Sequence, residues 1–445
     1  MTSDASNTAV ASRAGVPVEL PEEGSRRTPW FTLLFITAVF YAVDHNFFAS
    51  VDVSIYGVAL AAEKATGIAE GSLTRRLGYL AFGLYGAVAW LRVPRFRLKV
   101  GGLTAAMLLI YLGWAVLSLA WSQDPTLTLR RLSALGLMAL GITGLLRQYS
   151  GTGIMRLICF MTLSYLVMGV SAELALGMFT PWSSGYRFAG TLYPNIQAIN
   201  CAGLIFSALA LTATVQRSRP VLLAVASAGA GFLILTGSRT ALLAGMIGLS
   251  ALWTLRTRPS VAVMTGLVVS CLGLLGTLLV VTGLLPSPLG VLLRERFAGG
   301  GVLSGRPDLW AILLEYARER PILGYGYGAF FDPERGLDIA ARVGTWAFGG
   351  PHSLYLGTLL DLGAVGLACV VGVMLGSVWR SVRAYRQTFE PHYLLFTALL
   401  VFEIVDGFAE AEMLSPNPHL IPGLAVAFLA FGSRRGDGGD QRAER

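Results

Sequence analysis

The sequence predicts an all-α fold, a polytopic transmembrane helical bundle of about twelve spans with one large polar loop. Three observations lead there. Hydrophobic residues make up 54% of the 445 and charged residues only 13%, about half the share a soluble enzyme carries. Runs of about 20 apolar residues recur from Trp30 to Phe431, each long enough to cross the hydrocarbon with its backbone bonds satisfied internally. The basic residues gather in short loops between those runs, and mean hydropathy is +0.63.

Residues 1–29 are polar and rich in Ser, Thr, Pro and Glu, with no short apolar core before a small-residue cleavage site. They are expected to form a disordered cytoplasmic tail, and the first span does the targeting. Spans are expected at about 30–48, 77–91, 102–120, 128–146, 157–178, 194–213, 220–236, 240–254, 261–284, 352–378, 392–410 and 419–432. With the N-terminus inside, the inner loops carry Arg92, Arg95, Arg97 and Lys99, then Arg147 to Arg156, Arg217 with Arg219, Arg256 with Arg258, and Arg380, Arg383 and Arg386. Every inner loop is then basic, as the positive-inside rule asks. This orientation implies two cytoplasmic termini, including a tail at 433–445, and a location in the bacterial cytoplasmic (inner) membrane. The stretch from Ala49 to Arg76 reads as an outer loop with an interfacial helix, and residues 285–351 as the large outer, periplasmic loop of a 30–432 membrane domain. No fixed-period repeat or inverted half-to-half symmetry is visible, which weighs against the duplicated design of many transporters.

The net charge of +8 is explained by the inner loops, so no nucleic-acid partner is expected; the bilayer is. Cys159, Cys201, Cys271 and Cys369 fall within apolar spans without metal-ligand spacing and read as small core residues. No metal or cofactor is expected.

Once orientation is set, the informative arginines are those left outside. Arg187 lies in the loop before the sixth span, and Arg239 where the seventh and eighth spans meet almost without a loop. A guanidinium cannot be neutralised there; it either snorkels to the headgroups or clamps phosphate oxygens in a bidentate fashion. In the large loop, Ser304-Gly305-Arg306-Pro307-Asp308 has the form of a helix start. Leu309, Ile312, Leu313 and Tyr316 follow at helical spacing, predicting an amphipathic helix over the bundle mouth that ends at Pro321. Gly324, Gly326 and Gly328 then allow tight turns or close approach to a ligand; Tyr325 and Tyr327 either anchor that turn or offer faces for a sugar ring. His352 stands at the outer mouth of the tenth span, and histidine is the side chain most used to move protons near neutral pH. Only His45, His392 and His419 accompany it in the chain.

Taken together, Thr236-Gly237-Ser238-Arg239-Thr240, Gly305-Arg306-Pro307-Asp308-Leu309-Trp310, Pro321-Ile322-Leu323-Gly324-Tyr325-Gly326, His352-Ser353-Leu354-Tyr355-Leu356 and Asp361-Leu362-Gly363-Ala364-Val365-Gly366 resemble the family of O-antigen ligases and Wzy-type polysaccharide polymerases. Trp121-Ser122-Gln123-Asp124-Pro125, Leu129-Arg130-Arg131 and Tyr193-Pro194-Asn195 are similar to patterns of its N-terminal half, so the resemblance runs through most of the chain from Trp30. One departure is Ser353, where many members have Asn after the His.

The resemblance implies a GT-C-like membrane glycosyltransferase without a metal. Its donor would be an undecaprenyl-diphosphate-linked oligosaccharide, and its acceptor lipid A core in a ligase or a second lipid-linked repeat in a polymerase. Arg239 and Arg187 would bind the diphosphate, Arg306 would support them, and His352 would act on the acceptor hydroxyl, with inversion at the anomeric carbon. The rival from another class is a flippase for the same lipid-linked sugar. It would need ionisable groups in mid-membrane, for which Glu173, Asp361, Glu403 and Asp406 are the candidates.

Overall fold

The computed structural model describes residues 30–44, 72–92, 102–183, 186–257, 306–343, 350–410 and 420–431, and all its regular elements are helical. They are α1 (Trp30–Asp44), α2 (Leu73–Arg92), α3 (Leu103–Leu117), α4 (Pro125–Gln148), α5 (Gly151–Ala175), α6 (Pro194–Leu211), α7 (Arg219–Leu235), α8 (Arg239–Arg256), α9 (Arg306–Glu319), α10 (Pro333–Val343), α11 (Leu354–Thr388), α12 (Pro391–Asp406) and α13 (Leu420–Phe431). The two predicted tails, the ninth predicted span, His45, His419, Cys271 and most of the 49–76 stretch lie outside the described residues.

Among the described residues, five helical stretches have the length and apolarity to cross a membrane: Leu103–Ala120, Pro125–Gln148, Gly151–Ala175, Pro194–Leu211 and Leu354–Thr388. Trp30–Val43, Arg219–Leu235 and Leu420–Phe431 are apolar but shorter. Prolines in the first turn start α4, α6, α7 and α12, where a missing N–H costs nothing. Asp124 caps α4 by accepting from Leu127 N at 2.8 Å, and Ser353 caps α11 by accepting from Leu356 N at 3.4 Å.

Small residues let the helices approach closely. On α2 and α4, Gly86 faces Gly144 so tightly that a Cβ on Gly144 would lie 2.6 Å from the Gly86 Cα, and Phe82 fills the space over Gly141. Helix starts and ends sort to two ends of the bundle. At the basic end, α5 begins against His392 of α12, Arg256 of α8 donates to Thr212 after α6 at 3.4 Å, and Arg380 of α11 lies beside Gly102 before α3. The turns that carry Arg187, Arg239, Arg306 and His352 gather at the other end.

That second end is covered by α9, α10 and the segment between them. The amphipathic helix expected from Arg306 is present, with Leu309 and Leu313 buried in a small core with Tyr325, Phe330, Ile339 and Leu360 of α11. Helix α10 was not among the elements expected from the sequence. Its start was legible in Asp332-Pro333: the Asp332 carboxylate accepts from Arg335 N at 2.8 Å, as an N-cap does.

The 35-residue α11 breaks at Gly363, whose φ of 66° and ψ of −166° belong to a region open only to glycine. Residues 321–328 thread into the break as a strap. Ala364 N donates to Pro321 O at 2.8 Å, Tyr325 N to Leu360 O at 2.9 Å and Gly326 N to Asp361 O at 2.9 Å, so the strap takes up backbone groups that the break frees. On its far side Gln123 N donates to Tyr325 O at 3.1 Å and Trp121 Nε1 to Leu323 O at 3.0 Å. The Asp361 carboxylate accepts from Phe330 N at 3.4 Å, and Arg131 donates to Gly328 O.

A Cβ on Gly363 would sit 2.7 Å from Leu323 N and closer still to the Ile322 carbonyl. Gly363→Ala is therefore expected to cost at least about 3 kcal/mol, from the forbidden backbone and the clash together. A fall in the thermal midpoint and in monodisperse yield of the detergent-purified variant checks it.

Candidate active site at the capped end

Four of the sequence-predicted residues converge here from four separate segments, and the residue at their centre is one the sequence reading passed over. Glu410, in the turn after α12, accepts from Arg306 Nη2 at 2.5 Å and from Asn195 Nδ2 at 2.5 Å, both on Oε1. Its other oxygen faces His352 Nδ1 at 3.9 Å. The Arg306 and Glu410 side chains are only 12% and 7% exposed, so their pair is largely desolvated and strengthened by the low local dielectric.

Each member is placed by its own local structure. Arg306 opens α9, and Trp310 one turn later donates from Nε1 to Pro351 O at 2.9 Å, tying α9 to the His352 turn. His352 has φ 46°, a left-handed conformation uncommon outside glycine. The next residues fasten it: Leu354 N donates to Gly407 O at 2.8 Å and to Glu410 O at 2.9 Å. The start of α11 and the Glu410 turn are therefore one hydrogen-bonded unit. His352 keeps about a third of its side-chain surface open, 32%.

Arg187 lies across the α7–α8 turn. Its Nε donates to Thr236 O at 2.8 Å and its Nη2 to Asn195 Oδ1 at 2.7 Å. Gly237, at φ 65°, allows this approach; a Cβ there would lie 3.3 Å from Arg187 Nε. Asn195 thus links Arg187 to Glu410. Arg239, the first residue of α8, sits close enough for its charge, like those of Glu410 and Arg306, to act on Arg187. Three guanidinium groups against one carboxylate leave the cluster with a net positive charge and a partly exposed histidine beside it: the makings of an anion site with a proton acceptor at its edge.

Tyr325 and Tyr327 are not part of it. Tyr325 is 3% exposed and Tyr327 1%. The Tyr325 hydroxyl donates within the α9 module, with Glu319 Oε2 at 2.8 Å and Tyr316 O at 3.0 Å, and burial together with the Glu319 contact pushes the phenol up to about 12. Tyr327 lies between strap and bundle, its N–H donating to Ser118 Oγ at 2.9 Å. Both rings are buried away from the cluster, and the glycines around them serve the close approach of the strap to α11 and to Ser122. Among the described residues there is no group of three His, Cys, Asp or Glu side chains placed to hold a metal.

The sequence carries only a faint signal for Glu410. It is an acidic residue at the same end as the outlying arginines, in a run with Glu403 and Asp406 that drew notice only as possible mid-membrane charges. Asn195 stood inside a noted pattern without a role.

Residues 222–371 match a family model, Wzy_C, described as O-antigen ligase. That stretch holds Arg239, Arg306 and His352. The chain is also similar to a curated protein of Pseudomonas aeruginosa strain PAO1 named O-antigen ligase, with 28% identity over 239 residues. The similarity covers 52% of this chain and 51% of that protein, so the chain spans about half the length of the relative it matches.

Proposed function

We propose that this protein belongs with the O-antigen ligases, a reading its match over residues 222–371 supports, and is a glycosyltransferase that moves an oligosaccharide from undecaprenyl diphosphate to an acceptor hydroxyl at the periplasmic face of the inner membrane. The observation that carries the reading is the convergence of Arg187, Arg239, Arg306 and His352, from four segments, around Glu410. The basic opposite end of the bundle supports the orientation, with twelve crossings and both termini in the cytoplasm.

In this reading the acceptor oxygen attacks the anomeric carbon while His352 takes its proton. The bond from that carbon to the diphosphate oxygen breaks, and undecaprenyl diphosphate leaves with the electron pair. The arginines meet the negative charge that builds on the leaving group, the role a divalent cation fills in many phosphate-leaving reactions, so the transfer is metal-independent. Attack from the face opposite the leaving group inverts the anomeric configuration. The name of the Pseudomonas relative favours ligation to lipid A core over polymerisation of a second lipid-linked repeat.

The test is transfer by the purified protein from undecaprenyl-diphosphate oligosaccharide to each acceptor in EDTA. Wild-type transfer is expected to survive EDTA, and Arg239→Ala to lose about 10²–10³-fold in rate. Loss of wild-type activity in EDTA, restored by magnesium, sinks the metal-free reading. Movement of lipid across vesicles without transfer to either acceptor turns the assignment to the flippase.

A further inference from the structure

We propose that Glu173 is the residue that positions Arg187, an inference that rests on the donor-clamp reading of Arg187 given above. Glu173 stands in the last turn of α5 and is 4% exposed. Its side chain makes no direct contact with the arginine cluster but grips the loop that carries Arg187 on both sides. Oε1 accepts from Ala189 N at 3.0 Å and Gly190 N at 2.7 Å, and Oε2 accepts from the Tyr186 hydroxyl. The three donors belong to residues immediately flanking Arg187 on one side and two and three positions beyond it on the other.

Two further contacts make the grip directional. Gly190, at φ 61°, lies against Gly169 one turn earlier on α5; a Cβ on Gly190 would fall 2.7 Å from the Gly169 Cα, so loop and helix meet backbone to backbone. Phe188 N donates to Leu235 O at 2.9 Å, and the Phe188 ring packs on Phe232 with centroids 4.7 Å apart. Residue 187 is thus suspended between α5 and the end of α7. Its side chain can reach only across the α7–α8 turn, to Thr236 O and Asn195.

A buried carboxylate that loses its donors bears a large desolvation cost. The loop therefore cannot shift without leaving Glu173 unpaired, and the position of the Arg187 guanidinium is fixed relative to the bundle. A residue acting this way affects donor capture more than the chemical step.

The experiment measures donor KM and kcat of the full-length protein in lipid nanodiscs, with undecaprenyl-diphosphate oligosaccharide and lipid A core, for wild type, Glu173→Gln, Arg187→Ala and the double variant. Glutamine keeps the shape but turns an N–H₂ toward donors that need an acceptor. Glu173→Gln is expected to raise donor KM about tenfold, the scale of one lost charge-assisted contact, with kcat changed less than about threefold. In the Arg187→Ala background it is expected to add nothing beyond about twofold. A wild-type KM in Glu173→Gln, or the same tenfold rise in both backgrounds, overturns the proposal.

If Arg187→Ala itself leaves donor KM unchanged, the clamp reading of Arg187 fails, and the positioning is read separately. A spin label on Arg187→Cys is expected to be immobile with Glu173 present and mobile with Glu173→Gln. Identical spectra overturn the positioning role whatever Arg187 binds.

Discussion

Replacing His352 by alanine is expected to lower transfer at least about 10³-fold while donor KM stays within a few-fold of wild type. The split follows from the geometry. The Arg306 and Arg187 guanidinium groups that would hold the diphosphate are anchored by Glu410, Asn195 and Thr236, so removing the ring leaves those anchors in place. What is lost is the group proposed to accept the acceptor's proton. Alanine also enters a backbone position with φ 46°, where its Cβ is strained, so loss of activity alone could reflect a displaced turn. His352→Asn separates the two causes. Asparagine tolerates the left-handed conformation and still hydrogen-bonds, but its amide accepts no proton near neutral pH. It is expected to fold with a wild-type thermal midpoint and to be as inactive as the alanine variant. Activity in the asparagine variant within tenfold of wild type would remove His352 from the proton-transfer role.

How much of this was legible in the sequence depended on the kind of contact. The apolar helices were legible because each buries its own apolar run, and several begin at a proline or a capping side chain, as Pro125 after Asp124 shows. Arg187, Arg239, Arg306 and His352 were legible because charge at the wrong end of a span is costly and therefore conspicuous. Glu410 was not: a carboxylate in a turn after an apolar run is unremarkable until the fold brings Arg306 to it across 104 positions. The strap was hidden for a related reason. Glycines at 324, 326 and 328 promise a close approach without naming the partner, and the partner is the backbone of α11, which broke only because Gly363 lay opposite. Tyr325 and Tyr327 were ambiguous on the same account, since aromatic rings beside glycines suit a ligand and a packed strap equally well.

Glu410→Gln is expected to reduce kcat about 10²–10³-fold without raising donor KM. At 3.9 Å from His352 Nδ1, the carboxylate faces the position where positive charge would appear if the imidazole took a proton, as proposed. Opposite charges at that distance attract by on the order of 4 kcal/mol at an effective dielectric near 20, which sets the scale of the kcat loss. The same carboxylate neutralises part of the arginine cluster, so the donor's diphosphate would compete with it for Arg306. Glutamine removes that competition, and undecaprenyl diphosphate is expected to inhibit the variant at lower concentration than wild type. The two effects have opposite signs for binding and turnover, which a simple loss of folded protein cannot produce. Glu410→Ala serves as the contrast: it leaves Arg306 and Asn195 without their acceptor in a nearly closed site, and a drop in the thermal midpoint is expected there, because breaking a buried pair costs about 3–5 kcal/mol. If Arg306→Ala restores the midpoint of Glu410→Ala, the cost came from the unpaired guanidinium. A Glu410→Gln variant with wild-type kcat would leave the carboxylate as a structural anchor for Arg306 alone, and His352 would then carry its proton without an electrostatic partner.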